Sequence, residues 1–488
     1  MIDYQGTNLL SVIKNPDIIY PDSNDFFSPD QYYPEYQFTK VSDKINFVYR
    51  SIRQCLFQLG LDKPHFGTPK WNPLGDYIKS GAKVFVLCNF VNHRNSFESF
   101  NDFISKCSHG SVLRAVIDFA LIAVGKSGEV AFGNAPIQSA DFNRVLRLTG
   151  ADRVIDFYKS NAINVKCCDL RLYKIDKHLS GEIKQITLGN PDDSVEIDLG
   201  AESLLEELYE DATPYFRISD YDPDKTEKNH SKGVHRYSIS KKILESDVII
   251  SLPKLKTHEK VGITVALKGC VGAVSYKDCL AHYRHGSINV GGDGYETDPF
   301  KVYQLISNLN ELAYHSNPSS LKGKILRIID INLQRISRRF SVKPLGSWQG
   351  NDTCWRMALD VARIVIHGSP TGMKLNQPRP HLVFVDGVIG GEGQGPLSPH
   401  AVNSGIVLFA TNPVLSDLAC AIMMGFDPCK LPIVYEALEL SKYPLTLNFS
   451  NDLSDPIIYN GIDITIDELN KYFTYKFKPP KGWDELIE

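Results

Sequence analysis

Short apolar runs without internal polar alternation recur along the chain, at residues 83–89, 129–133 and 247–252. Runs of that length and evenness mark strands buried on both faces. Between the first two, residues 111–124 place apolar side chains at helical spacing, with Ser111 positioned to cap the start and Gly125 and Gly128 to end it. Strand, helix, strand in this order predicts a parallel sheet covered by helices. Residues 162–167 supply a further strand. Later the pattern gives a helix over 355–366, a strand over 381–385, a glycine-rich loop, a strand over 405–410 and a helix over 413–424.

The remaining segments depart from this rhythm. Residues 1–80 are rich in Tyr, Pro and Asp. Their one helical stretch carries Ile45, Val48, Ile52, Leu56 and Leu59 on one face, so this region is expected to be an arm packed on the body. Residues 173–245 are polar and carry turn signals such as Gly189-Asn190-Pro191-Asp192-Asp193, which predicts an antiparallel insertion. Residues 301–345 have a helical pattern that ends in the basic run 335–339. The tail, 441–488, reads as a short strand pair plus coil. The expected organisation is an N-terminal arm (1–80), an α/β core (81–440) with insertions near 173–245 and 270–345, and a C-terminal tail. The fold class is α/β, a mostly parallel, helix-covered sheet with an antiparallel insertion.

Composition adds exclusions. Over 488 residues the formal net charge is −4, which gives no electrostatic reason to expect nucleic acid or an anionic membrane as partner. No apolar run approaches the roughly 20 residues that cross a bilayer. Residues 1–10 lack a basic segment followed by an apolar core. The ten cysteines are scattered, with no Cys-x-x-Cys, so free thiols in a reducing, cytoplasmic setting are expected and an iron–sulfur cluster is not. A small anionic molecule is the expected partner, and a homo-oligomer is compatible with the pattern.

Three segments concentrate chemistry. Ser251-Leu252-Pro253-Lys254-Leu255-Lys256-Thr257-His258 leaves a buried strand at its C-terminal end, where open parallel sheets bind ligands. Pro253 forces an extended exit. Lys254, Lys256 and His258 then alternate with Leu255, so three basic groups share one side. Such a set, with Lys268 downstream, suits a carboxylate or phosphate, and close cations depress one another's pKa as acid–base catalysis requires. The alternative is a solvated surface. The second segment, residues 277–285, carries His282, Arg284 and His285. Two histidines three apart on a helix, with Asp278 on the same face, could bind a divalent metal; a polar loop closing over the first site is the alternative. The third, Val385-Asp386-Gly387 through Gly391-Glu392-Gly393-Gln394-Gly395-Pro396, has neither the dinucleotide fingerprint nor a P-loop ending. It offers close backbone approach at Gly393 and Gly395, with Asp386 and Glu392 as general base, metal ligand or lysine partner, or it is a structural turn. Asn89, His93, Asn134 and Gln138 fall at strand ends on the same rim. Arg356 is a further anion-binding candidate, and Asn351-Asp352-Thr353 reads as a helix cap.

These residues carry a resemblance. The chain is similar to the domain-of-unknown-function family 362 through residues 247–258, Thr264-Val265-Ala266-Leu267-Lys268-Gly269, Val385-Asp386-Gly387, Gly391-Glu392-Gly393-Gln394-Gly395-Pro396, and Asn412-Pro413 with Asp417 and Met424-Gly425-Phe426. The likeness spans roughly residues 80–440. It implies no settled activity. Some members carry an appended iron–sulfur module, which this chain lacks. Members with a segment similar to Gly67-Thr68-Pro69-Lys70-Trp71-Asn72-Pro73-Leu74-Gly75 look like those of surface-polysaccharide or specialised-metabolite pathways. A distant likeness to lactate-racemase-like proteins implies proton chemistry beside a carboxylate. The family usually has Lys-Pro-Asn where this chain has Leu87-Cys88-Asn89, and Lys-Asn where it has Lys268-Gly269. The expectation is an enzyme in which Lys254, Lys256 and Lys268 bind and polarise a small anion (a carboxylate, phosphate or activated sugar), His258 moves a proton, and Glu392 or Asp386 opposes it. The rival is a non-catalytic protein that holds an anion or cofactor on the same rim.

Overall fold

The computed structural model describes residues 8–95, 97–177, 183–210, 214–218, 223–296, 320–326, 345–374, 378–446 and 456–487, together with residues 309, 312, 328, 329 and 332. The helical pattern of 301–345 lies mostly, and the basic run 335–339 wholly, outside the described residues.

One eleven-stranded sheet organises the chain. Its strands are β1 (Leu10–Lys14), β2 (Lys83–Cys88), β3 (Glu129–Asn134), β4 (Val165–Asp169), β5 (Val248–Leu252), β6 (Lys254–His258), β7 (Gly262–Thr264), β8 (His381–Gln394), β9 (Ser398–Ala410), β10 (Pro456–Tyr459) and β11 (Ile462–Thr465). They lie in the order β11-β10-β1-β9-β8-β5-β2-β3-β4, and β6 pairs with both β7 and β8. From β8 through β4 every neighbour is parallel. The fold is therefore α/β with a mostly parallel central sheet.

The even apolar runs follow from two cores. Val248, Ile250 and Leu252 of β5 join Val84 and Val86 on one side of the sheet, while Ile249 joins Phe85 and Leu87 on the other. Helices α1 (Phe47–Gln58) and α2 (Gly110–Val124) cover the first side; α3 (Cys354–His367) and α4 (Pro413–Met423) cover the second. Each fully buried aliphatic side chain contributes about 1.5–3 kcal/mol, so both faces are needed to hold strands this short. Helix α2 begins one residue before Ser111. The ring of His109 is the cap, accepting from the Ser111 amide at 3.2 Å, a role its residue type does not advertise.

Two segments differ from the sequence reading. The N-terminal arm contributes β1 to the interior of the sheet, antiparallel to β9 with Leu10 opposite Ala410, and parallel to β10. The glycine-rich stretch is strand: β8 continues through it, paired from Gly391 opposite Ala401 to Gln394 opposite Ser398. Its glycines are there for approach, since a Cβ on Gly391 would stand 2.8 Å from the Ser105 carbonyl and 3.1 Å from the Lys256 Cβ. The polar insertion is antiparallel, pairing Tyr173–Lys177 with Ile183–Thr187 and Ser194–Asp198 with Val234–Ser240. Among the described residues no helix is long and apolar enough to cross a membrane.

Candidate functional site

Strands β2, β3 and β5 all point their C-terminal ends at one cavity of about 240 Å³. Asn89 and Asn134 enter its wall from the ends of β2 and β3, and Gln138 from the turn beyond. Pro253 interrupts the ladder and turns the chain into β6, which contributes Lys256 and His258, and β7 adds Thr264. Lys268 comes from the one-turn helix Ala266–Gly269, and Glu259, Lys260, Lys277 and His282 add to the polar lining. Ile175 and Ile218 of the insertion close it from above, with Pro396 and Leu397 at the end of the β8 arm.

The lysines are the unusual feature. Lys residues are almost never interior without a partner carrying charge, yet Lys256 has no exposed surface and Lys260, Lys268 and Lys277 have 6%, 8% and 5%. Their acceptors are neutral. Lys256 Nζ donates to Asn89 Oδ1 and, at 2.6 Å, to the Lys106 carbonyl. Lys260 Nζ donates to the Leu345 carbonyl and, at 3.4 Å, to Ser347 Oγ. Lys277 Nζ donates to the Val271 carbonyl at 2.8 Å. Lys268 Nζ has no hydrogen-bond acceptor or carboxylate partner among the described residues.

Burial therefore dominates their protonation. It brings Lys256 down to about 7, opposed by the Cys107 thiol and reinforced by Lys254, Lys106 and Lys268. Burial brings Lys277 down to about 7 as well, with Lys268 adding to it. Lys268 and Lys260 are also lowered by burial, partly offset by Cys354 and Glu259 respectively. At about 7, Lys256 is an available base near neutrality. As a neutral amine it gives both hydrogens to Asn89 and Lys106, which leaves the lone pair to take a proton.

The two histidines are held neutral. Burial, then Lys268, keeps His258 well below the ordinary imidazole range, and the same two causes act on His282. The Lys260 amide donates to His258 Nδ1 at 3.1 Å, so the neutral ring carries its proton on Nε2. His258 is thereby a hydrogen-bond donor. His282 Nδ1 and Thr264 Oγ1 are buried without a hydrogen-bond partner among the described residues.

One residue outside the lining sets the position of Lys268. Asp417 of α4 is buried and accepts from the Ala266 and Leu267 amides at 2.8 and 3.1 Å, capping the short helix from another element. Burial raises its carboxyl to about 7, against the pull of those same amides.

Of the residues singled out in the sequence, Lys256, His258, Lys268, Asn89, Asn134, Gln138 and His282 meet at the cavity. The others do not. Lys254 turns to Asp386 at 3.2 Å and to the Tyr20 hydroxyl. Asp386 also accepts from Tyr20 Oη at 2.6 Å and from the His109 amide at 2.9 Å. Glu392 faces the C-terminal tail, accepting from Tyr475 Oη at 2.8 Å and the Lys478 amide at 3.0 Å. Gly393 and Gly395 pack their backbone on Thr257 behind the cavity wall. His93 accepts from the Asp141 amide, and Arg356 bridges Asp352 and Glu207. The segment from His282 to His285 is extended, with Tyr283–Arg284 paired to Phe216–Arg217, so the helical His pair does not form. Asp278, expected on that face, accepts instead from Tyr173 Oη. Among the described residues no group of three or more His, Cys, Asp or Glu is arranged to hold a metal ion.

Lys260, Lys277 and Thr264 were given no role in the sequence reading, although Thr264 opens one of its motifs and Lys277 one of its segments. The signal available was only the density of lysines in a glycine-punctuated stretch following a buried strand.

Residues 193–422 match a family model described as "Domain of unknown function (DUF362)", a span that includes β5 to β9, all four cavity lysines and Asp417. Asn89, Asn134 and Gln138 lie before it. No curated protein and no solved structure matches the chain. Over that span the chain resembles the DUF362 family.

Proposed function

We propose that the protein is an enzyme that moves a proton on a small anionic substrate held in the lysine cavity. The observation that carries this reading is Lys268: itself nearly buried, it lines the cavity with no acceptor among the described residues, beside a lysine brought down to about 7 and two neutral imidazoles. Lys268 and Lys260 hold the substrate's carboxylate or phosphate. Lys256 takes a proton from a carbon adjacent to a carboxylate or carbonyl of that substrate and later returns a proton to it. Charge then develops on the substrate oxygen, where the His258 Nε2–H donates and Lys268 attracts. A positioned acid or base of this kind contributes about 10²–10⁴-fold in rate, and a fixed donor at the developing charge about 10²–10³-fold.

The test is exchange. Small carboxylic and phosphorylated acids are incubated with the protein in deuterated water and followed by proton NMR and mass spectrometry. Deuterium incorporation that disappears in Lys256→Met and in His258→Ala upholds the reading. Tight binding with no exchange and no new product would overturn it in favour of a protein that holds an anion without turning it over.

A further inference from the structure

We propose that the ligand of this cavity is a small dianion, a dicarboxylate or a phosphate monoester, and not a monocarboxylate. This rests on reading the cavity as an anion site, and it follows from the balance of charge within it.

Lys256, Lys260, Lys268 and Lys277 line the cavity, and among the described residues the one carboxylate in the lining is Glu259. The three lysines with acceptors use amide, carbonyl and hydroxyl oxygens, which satisfy N–H groups but neutralise no charge. The carboxylates nearby are engaged elsewhere. Asp386 pairs with Lys254 at 3.2 Å, Asp169 with Arg171 at 2.6 Å and Glu98 with Lys106 at 2.7 Å, while Asp417 caps the short helix. With Lys256 serving as the neutral base, a lone negative charge together with Glu259 still leaves one of the other three buried lysines uncompensated, and uncompensated burial is the costly state. A second negative charge on the same ligand reduces that excess within one small space. The rest of the wall limits what carries the charges. Val91, Ile175, Val271 and Leu280 are apolar, so a short carbon skeleton between or beside the anionic groups finds contact there.

Isothermal titration of the full chain with sulfate, malonate and acetate near neutral pH tests this, since the first two are doubly charged and the third singly. Either dianion is expected to bind about tenfold or more tightly than acetate. Sulfate preferred over malonate points to a phosphate ester, and the reverse to a dicarboxylate. Lys268→Met, checked for an unchanged circular dichroism spectrum, is expected to weaken the dianions by about tenfold. Acetate binding as tightly as the dianions would overturn the dianion assignment while leaving an anion cavity. Undiminished dianion binding in folded Lys268→Met would overturn it by placing the ligand elsewhere. Failure of all three to bind would remove the anion reading itself. The wild-type comparison decides the matter even if the variant does not fold.

Discussion

The Lys254 ammonium lies 3.2 Å from the Asp386 carboxylate, and neither side chain has any exposure to solvent. Two residues along the same strand, Lys256 is equally buried and has no carboxylate partner among the described residues. Lys254 is thus spent on the fold and Lys256 is left for chemistry. The Tyr20 hydroxyl and the His109 amide complete the bonding of Asp386, so the arm, α2, β6 and β8 meet at one ion pair. Removing one partner of a buried pair strands the other, at a cost of about 3–5 kcal/mol. Lys254→Met and Asp386→Asn are each expected to lower the unfolding free energy by that amount in urea. The double replacement Lys254→Met/Asp386→Asn is expected to cost less than the two together by at least about 1 kcal/mol. Strict additivity would show that the pair does not act as a unit.

Lys256 makes stability depend on pH in a direction set by its environment. The unfolded chain keeps this lysine protonated up to the ordinary lysine range, whereas the folded chain releases the proton at about 7. Between those limits the unfolded state binds more protons, so the Lys256 contribution to stability rises with pH, by up to about 1.4 kcal/mol per pH unit. Below about 7 the whole penalty is present; above the ordinary range it is gone. Cys107, Lys254, Lys106 and Lys268 face this amine and travel with the measurement, so the quantity to follow is the difference between wild type and Lys256→Met at several pH values from 7 upward. That difference is expected to grow in favour of wild type as pH rises. A constant difference would mean that Lys256 stays protonated in the fold.

How much of this was legible in the sequence depended on where each residue's partner lies. The strand at residues 247–252, the extended exit at Pro253 and the basic side of Lys256 and His258 are local properties, and they are found where the pattern puts them. The partners of the carboxylates are not local. Asp386 is matched by Tyr20, 366 residues away, and Glu392 by Tyr475, 83 residues away, so both looked free for catalysis until the chain was folded. The glycines of residues 387–395 look like a flexible turn because their role is to let β8 approach β6, and the neighbouring strand is not visible locally. Lys260 and Lys277 were passed over for the opposite reason: a buried lysine and a solvated one have the same letter, and only the packing of Leu345 and Val271 carbonyls against them tells the two apart.

Glu392 gives a prediction with the reverse sense. It sits in the glycine-rich arm, is nearly buried, and accepts from Tyr475 Oη and the Lys478 amide, so it ties the C-terminal tail to β8. Glu392→Gln keeps the shape but loses the charge on those hydrogen bonds, worth about 1–3 kcal/mol. The expected result is a lowered melting temperature and faster proteolysis of the tail, with sulfate affinity within about twofold of wild type, because the side chain does not reach the cavity. Loss of sulfate binding in a folded Glu392→Gln variant would return this carboxylate to the site.

Gly395 separates a residue that shapes the wall from one that merely adjoins it. A Cβ on Gly395 would fall 2.0 Å from the Thr257 carbonyl oxygen and 2.8 Å from its carbon, both main-chain atoms of β6. Thr257 lies between Lys256 and His258, and the Gly395 carbonyl also receives the Glu259 amide at 2.8 Å, so the strand cannot give without moving both side chains. Gly395→Ala is expected to cost about 1–3 kcal/mol through overpacking and to weaken sulfate binding by about tenfold or more. Gly393 is the control. Its positive φ of 75° makes alanine unfavourable by about 1–2 kcal/mol, but an added Cβ there meets only the His400 side chain at 3.7 Å. Gly393→Ala should therefore lose comparable stability while keeping sulfate affinity. Two variants matched in melting temperature but differing in affinity would show that contact with β6, rather than general loosening, controls the cavity; equal affinity in both would show that the glycine arm is dispensable to it.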